Sequence, residues 1–287
     1  MSLVPLGWTH LKYLRYLNEM FRFATWNVGH AVQPRKPFAQ QWDWFTDNVG
    51  ADLVVLTEAK PDYSSCGDGW SFVYKDGGIG GRRRWGTSIG SYEHTLRDVT
   101  NGVGGKNGFA IEHHYPGYVT IADLVDDEDD STLCTVVGIH APLLDRDGHK
   151  LKWGGESVDV IMENLAGLIR SKRGEMLIIA GDLNIHPGHV PPSLYENFID
   201  VIEATADLRE PLIGCVNCGL GEECGHLWTH RNGKTQNAAV QNIDYVFISE
   251  SLGEVLSGVG GGDFTFPEIW EYSDHAPVVA DFSDDVE

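Results

Sequence analysis

Residues 176–184 read Met176-Leu177-Ile178-Ile179-Ala180-Gly181-Asp182-Leu183-Asn184. The apolar run Met176–Ala180, β-branched at its centre and stopped by glycine, predicts a strand. A carboxylate at Asp182 and an amide at Asn184 follow at once; at i and i+2 they would share one face if the strand continued. Five other stretches end in the same manner: Ala24-Thr25-Trp26-Asn27-Val28, Leu56-Thr57-Glu58-Ala59-Lys60, Gly138-Ile139-His140-Ala141-Pro142, Asn242-Ile243-Asp244-Tyr245 and Ser273-Asp274-His275-Ala276-Pro277. Each reads as an apolar strand delivering Asn, Glu, His or Asp to its end. Singly these endings say little, because a strand-end Asp commonly forms a turn and a lone His is commonly a satisfied surface or core residue. Six together supply carboxylates, an amide and imidazoles, the groups of a hard-cation site with an acid–base partner.

The rest of the chain supports a layered fold. Strands are predicted over Phe21–Val28, Leu53–Thr57, Ser71–Tyr74, Thr87–Ser91, Val119–Val125, Leu133–His140, Met176–Ala180, Ile243–Ile248 and Pro277–Phe282, rich in Val, Ile, Phe and Tyr and bounded by Gly, Asp and Asn. Phe38, Trp42, Phe45 and Val49 recur at helical spacing. So do Val158, Ile161, Met162, Leu165, Leu168 and Ile169, closed by Arg170, Lys172, Arg173 and Gly174. Many strands and few helices, interleaved without a long linker, predict a single mixed α/β domain over residues 20–287. Residues 1–19 read as an N-terminal extension. Leu11, Leu14 and Leu17 suggest a short amphipathic helix there, either packed on the domain or dispensable.

The 287 residues carry 21 Lys and Arg against 42 Asp and Glu, a formal charge of −21. Such a balance argues against gripping duplex DNA over a broad basic face, since that binding draws on neutralised phosphates. The acidic clusters Asp126–Asp130 and Asp281–Glu287 are expected in solvent, the first as a hairpin tip. No apolar run approaches the ~20 residues of a membrane-spanning helix. Lys12 and Arg15 interrupt the only candidate leader, and the five cysteines are odd in number and sparse, which fits a reducing cytoplasm.

In this order, the Gly-Asp-Leu-Asn, Asn-Ile-Asp-Tyr and Ser-Asp-His segments resemble the endonuclease/exonuclease/phosphatase superfamily, over roughly residues 20–283. The resemblance implies a four-layer αββα sandwich of two mixed β-sheets, with the active site where strand ends of both sheets meet. It implies an Mg²⁺ or Mn²⁺ site at Glu58, with Asn27 and Asp274 nearby. His275 resembles the general base or phosphate-activating imidazole, oriented by Asp244. Asp182 would position or deprotonate the attacking water, Asn184 would donate to the phosphate, and His140 would contact a non-bridging oxygen or protonate the leaving group. The implied reaction is hydrolysis of a phosphoric ester by in-line attack of water, with nucleic acid as the leading substrate. A small-molecule or lipid-linked phosphate, such as an inositol phosphate or sphingomyelin, is the alternative, and a non-catalytic binding member is a third. The abasic-site endonuclease branch resembles a pattern with Tyr and Asn where this chain has Gly138-Ile139-His140-Ala141-Pro142, which puts apurinic-site repair in doubt.

Three further features stand outside those motifs. Arg82, Arg83 and Arg84 precede Trp85 in a glycine-rich loop; they either clamp substrate phosphates, with Trp85 stacking on a base, or neutralise acidic neighbours. Cys215, Cys218, Cys224 and His226 form Cys-x2-Cys-x5-Cys-x-His, whose readings are a structural Zn²⁺ site, plain loop thiols or a disulfide. Trp228-Thr229-His230-Arg231-Asn232 resembles a family strand ahead of Asp244, with Trp228 expected in the core. His186 and His189 are expected in solvent, and Cys134 in the core.

Overall fold

The computed structural model describes residues 21–30, 35–60, 62–76, 85–100, 117–143, 156–172, 174–186, 208–209, 228–233 and 238–283. The expected extension over residues 1–19, Arg82, Arg83, Arg84, His189 and the Cys215, Cys218, Cys224, His226 cluster lie outside them. In chain order the described elements are β1 (Phe21–Asn27), α1 (Phe38–Asn48), β2 (Leu53–Ala59), a 3-10 turn (Tyr63–Ser65), β3 (Trp70–Asp76), β4 (Gly86–Tyr92), β5 (Thr95–Asp98), β6 (Val119–Val125) and β7 (Thr132–His140). Then follow α2 (Glu156–Ser171), β8 (Leu177–Asp182), β9 (Leu208–Arg209), β10 (His230–Asn232), β11 (Ala239–Gln241) and β12 (Asp244–Ser249). The chain closes with α3 (Glu250–Gly253), β13 (Leu256–Gly261), α4 (Gly262–Thr265), a second 3-10 turn (Pro267–Glu271) and β14 (Val278–Phe282).

Two six-stranded sheets carry the molecule, one ordered β13-β14-β1-β2-β4-β3 and the other β5-β6-β7-β8-β12-β9, with β10 and β11 as a separate ribbon. Each is mixed: β1 pairs parallel with β2 and β7 parallel with β8, while their other neighbours are antiparallel. A parallel pair needs a crossover, and α1 and α2 lie in the two crossovers.

Side-chain alternation assigns the layers. Phe23, Leu53, Val55 and Ile89 of the first sheet pack against Ala122, Val136, Ile178, Val246 and Ile248 of the second. The residues between them in sequence face outward: Ala24, Trp26, Val54 and Leu56 toward Trp42 and Phe45 of α1, and Val137, Ile139, Ile179 and Phe247 toward Val158, Ile161, Leu165 and Ile169 of α2. The order helix, sheet, sheet, helix is the four-layer sandwich that the resemblance implied.

Two glycines permit this closeness near the polar strand ends. A Cβ on Gly138 would stand 2.9 Å from Thr87 Cγ2 and 3.0 Å from Val55 Cγ1 of the facing sheet. Gly181 has φ 139°, and a Cβ there would lie 1.9 Å from the Ile139 carbonyl oxygen. Gly181→Ala therefore meets backbone rather than a yielding side chain. The expected loss is roughly 3 kcal/mol of unfolding free energy, read by urea denaturation. A variant as stable as the parent would show that β8 does not need this backbone at its last turn.

The structure corrects several boundaries and two burial expectations. β2 runs on to Ala59 and β8 to Asp182, so Glu58 and Asp182 belong to their strands. β5, β9, β11 and β13 and the short helices α3 and α4 were not anticipated; β13 is glycine-rich and half exposed, so it shows no apolar alternation. Asp126 to Asp130 does form the turn between β6 and β7, but Asp126 is buried, because its carboxylate accepts Glu128 N–H (2.8 Å) and closes the turn. Asp281 is likewise not in open solvent: it sits in β14 and binds Arg22 (2.6 Å) from the neighbouring strand. Cys134 is buried in the core as expected.

Candidate active site

The polar strand ends meet because they share parity with the inner faces. In β7, β8 and β12, His140, Asp182 and Asp244 continue the rows of Val136, of Ile178 and Ala180, and of Val246 and Ile248 that face the other sheet. Register places His140 directly beside Asp182, and Asp182 directly beside Asp244. In β1, Asn27 continues the row of Phe23, and its Nδ2 donates across the sandwich to Asp182 Oδ2 at 2.8 Å. The space between the sheets is thus apolar in the middle and polar at one end.

Glu58 reaches this end through a break in regularity. The β2–β4 pairing shifts between Leu56 and Ala59, and Glu58 sits at the shift with φ 48°. A left-handed non-glycine residue costs about 1 kcal/mol, and such conformations cluster at functional sites. Here the bulge brings Glu58 Oε1 to 3.4 Å from His140 Nε2. Asn184, with φ 52°, is another such residue at the site. Since β8 ends at Asp182, Asn184 does not share its face through a continuing strand. Instead its N–H donates to Asp182 Oδ1 (2.9 Å) and its Nδ2 to the Ala141 carbonyl (2.9 Å).

Asp182 lies at the centre, buried, 3.7 Å from His140 Nε2 and 4.0 Å from His275 Nε2. Burial and then the neighbouring Asp244 charge push its carboxyl up to about 6, against the pull of His275 and His140. His275 is placed by backbone as well as side chain. Its N–H donates to Ser273 Oγ (3.1 Å), Ser273 Oγ donates to the Asn27 carbonyl (2.7 Å), and Trp26 Nε1 donates to the His275 carbonyl (3.0 Å). Its Nδ1 lies 2.8 Å from Asp244 Oδ2. Burial alone would push the imidazole down, but the charge and hydrogen bond of Asp244 prevail and raise it to about 10. His275 is therefore a cation at neutral pH, with Nε2–H pointing toward Asp182.

His140 is held differently. Its ring stacks on Tyr118 (5.4 Å, 24°) and meets the edge of Trp85 (4.9 Å, 66°). Its Nδ1 is buried without a hydrogen-bond partner, as is Asp244 Oδ1. Orphaned polar atoms of this kind cost about 1–3 kcal/mol each, a burden that fits a site awaiting a ligand.

Asp274 is half-buried and borders Gly29, where an added Cβ would lie 3.2 Å from its Oδ1. Potential metal ligands gather in two groups among the described residues: Glu58, His140 and Asp182, and Asp182, Asp244 and His275, each with donor atoms within 4.8 Å of one another. Asp274 belongs to neither. The oxygens of Glu58 and Asp182 fit a hard divalent ion; the Asn27 oxygen accepts Gly29 N–H (2.9 Å) while its Nδ2 faces Asp182, so Asn27 would join them only by turning its amide over.

Two contributors escaped sequence reasoning. Tyr118 supports His140. His230 forms a bridge with His275 and lays its ring 4.5 Å from it, its Nδ1 paired with Gln241 Oε1 (3.0 Å). Burial and the adjacent His275 charge lower His230 to about 4, so it is neutral. The side-chain parity of His230 was legible, but the strand it pairs with was not. Trp228 is half-buried and His186 is half-buried rather than in solvent.

A family model described as Endonuclease/Exonuclease/phosphatase family matches residues 24–275. Among solved structures, AP endonuclease LMAP from Leishmania major is similar with TM-score 0.64 and 17% identity, over 92% of this chain and 88% of that one. The 3'-5' exonuclease NExo from Neisseria meningitidis is similar with TM-score 0.62 and 19% identity, over 92% and 100%. D. rerio TDP2 complexed with single strand DNA product is similar with TM-score 0.57 and 13% identity, over 92% and 99%. At these identities the likeness is one of fold. No curated protein sequence matches the chain.

Proposed function

The chain belongs to the endonuclease/exonuclease/phosphatase family, and from that premise we propose that it is a divalent-metal-dependent phosphodiesterase acting on nucleic acid. The observation that carries the reading is the row His140, Asp182, Asp244 with His275 bound to Asp244 at 2.8 Å, faced by Asn27 and Glu58 from the other sheet. Asp182, with its carboxyl near neutrality, accepts the proton of the attacking water. The His275 imidazolium, locked by Asp244, directs Nε2–H at the phosphoryl oxygens as charge develops there. His140 Nε2 serves another oxygen or the leaving group, and the free amide hydrogen of Asn184 serves the phosphate. Trp85, whose ring meets His140 at 4.9 Å, is read as a substrate contact, and Arg82, Arg83 and Arg84, which precede it in sequence, as phosphate contacts. Glu58 and Asn27, with Asp274 alongside, would hold Mg²⁺ or Mn²⁺, which supplies Lewis-acid polarisation of a phosphoryl oxygen.

A small-molecule or lipid-linked phosphate is the second reading, favoured by the charge of −21, which repels a polyanion more than a single phosphate. A purely binding role is disfavoured by the complete set Asn27, Glu58, His140, Asp182, Asn184, Asp244, Asp274 and His275, all eight of which a binding module does not need. No helix among the described residues is long and apolar enough to cross a membrane.

The test is a metal-supplemented panel of linear and circular DNA, RNA, inositol phosphates, sphingomyelin and a chromogenic diester. Hydrolysis of a nucleic acid is expected, and cleavage of the small phosphates alone would move the assignment to the second reading. Chelation should lower the rate by at least about 10³-fold, because the ion contributes several kcal/mol to the barrier. Mg²⁺ or Mn²⁺ should restore it; undiminished turnover in chelator would refute metal dependence.

A further inference from the structure

Asp244 and His275 approach each other from different sheets. Asp244 opens β12 of the second sheet, whereas His275 lies just ahead of β14 in the first. His275 is tied to the first sheet through Trp26, Ser273 and the Asn27 carbonyl, and the register of β12 on β8 ties Asp244 to the second. Those bonds hold each residue to its own sheet. The 2.8 Å between His275 Nδ1 and Asp244 Oδ2 also needs the two held to each other.

Thr229, fully buried just ahead of β10, makes that tie. On one side its carbonyl accepts Ala276 N–H at 2.7 Å, and the next residue, His230, bridges to His275. On the other side its hydroxyl oxygen accepts two N–H groups at the start of β12, Ile243 at 3.1 Å and Asp244 at 3.2 Å. The sheet edge explains why a side chain is used. Among the described residues β9, the outer neighbour of β12, pairs only at Ile248 and Ser249, so at Asp244 a hydroxyl takes the place of a neighbouring strand. Thr229 is itself held by the β10–β11 ribbon: its N–H donates to the Gln241 carbonyl (3.0 Å), and Gln241 Oε1 pairs with His230 Nδ1 (3.0 Å).

We propose that Thr229 is a positioning residue of the reaction, whose hydroxyl and carbonyl together set the separation of Asp244 and His275 across the two sheets and so the aim of His275 Nε2. Buried N–H groups need acceptors, and one hydroxyl oxygen with two lone pairs serves both of these. Thr229 acts through the pair. Catalytic geometry depends on such support, since a displacement of ~1 Å can cost about 10²-fold in rate. The inference rests on the reading of His275 and Asp244 as catalytic, and names what holds them in place.

Three substitutions test it. Thr229→Val keeps the shape and removes the hydroxyl, Thr229→Ala removes it and leaves room for water, and Thr229→Ser keeps it. Kinetics on a short DNA strand and on a chromogenic diester, with Mg²⁺, are measured beside the downfield proton resonance of His275 Nδ1–H in protein carrying isotope-labelled histidine, assigned by its loss in His275→Ala. Thr229→Val is expected to lower kcat by about 10- to 100-fold with KM within about threefold of the parent, and to displace or broaden the resonance. Thr229→Ala should move both readouts in the same direction. Thr229→Ser should keep kcat within about threefold and leave the resonance in place. Thr135→Val removes another buried hydroxyl, one that donates to Asp123 Oδ1 at 2.8 Å near the start of β7, and should leave both readouts at parental values, which separates misplacement from lost stability. If Thr229→Val does not fold, Thr229→Ala decides by the same readouts. Parental kcat in a folded variant without the hydroxyl, or a resonance that stays in place while kcat falls, would overturn the proposal. A parent that cleaves neither substrate would instead sink the catalytic reading; the resonance needs no substrate and still reports whether Thr229 places the pair.

Discussion

Asp182→Asn is expected to lower kcat/KM for diester hydrolysis by about 10³-fold with the fold intact, the scale on which a positioned general base contributes. Asparagine is isosteric and keeps an oxygen for the Asn184 N–H, so the turn after β8 survives. What it loses is the basic carboxylate and the acceptor for Asn27 Nδ2, whose amide must turn over to meet the new Nδ2. The same change should raise stability, and the sign follows from the pKa. The Asp182 carboxyl is pushed up to about 6 in the folded protein, above the ordinary value of about 3.9 for an unfolded chain. The charged form is thus disfavoured by folding, a handicap complete above about pH 6 and absent below about pH 4. In chelator, the urea midpoint of the variant should exceed that of the parent at neutral pH, and the gap should close as the pH falls from 6 to 4. A variant that kept parental turnover with metal supplied would remove Asp182 from the chemistry.

Asp244→Asn should be nearly as damaging, lowering kcat/KM by about 10²–10⁴-fold, because a carboxylate that holds a histidine governs both its charge and its orientation. Asp244 is the largest of the charges that raise His275, ahead of Asp182 and Asp274; without it, burial pushes the imidazole down and the cation is expected to weaken at neutral pH. Activity of the variant should therefore recover in part on the acid side, where His275 regains its proton. His275→Ala should cost a similar factor, and the double variant little more than either single one, since the two residues act as a unit. Additive losses, or an unshifted pH profile for Asp244→Asn, would show that the 2.8 Å contact does not set the state of His275.

Much of this was legible before any coordinates. Runs rich in Val, Ile, Phe and Tyr, bounded by Gly, Asp and Asn, marked the long strands, and helical spacing marked α1 and α2. The endings of β1, β2, β7, β8 and β12 named the polar residues that the structure brings together. Glycine-rich β13 and the short β5, β9 and β11 were missed because each is held by its partner strands and not by a pattern of its own.

The sequence by itself determined which polar side chains would stand at the end of each strand, since that follows from the order of residues along a single segment. It also determined that the chain as a whole is acidic. Only the tertiary structure decided their relation. Register set His140, Asp182 and Asp244 side by side, the bulge in β2 turned Glu58 toward His140, and burial made Asp182 a weaker acid while Asp244 made His275 a cation. Distance, desolvation and charge–charge coupling are properties of pairs separated by long stretches of chain, so no local pattern encodes them.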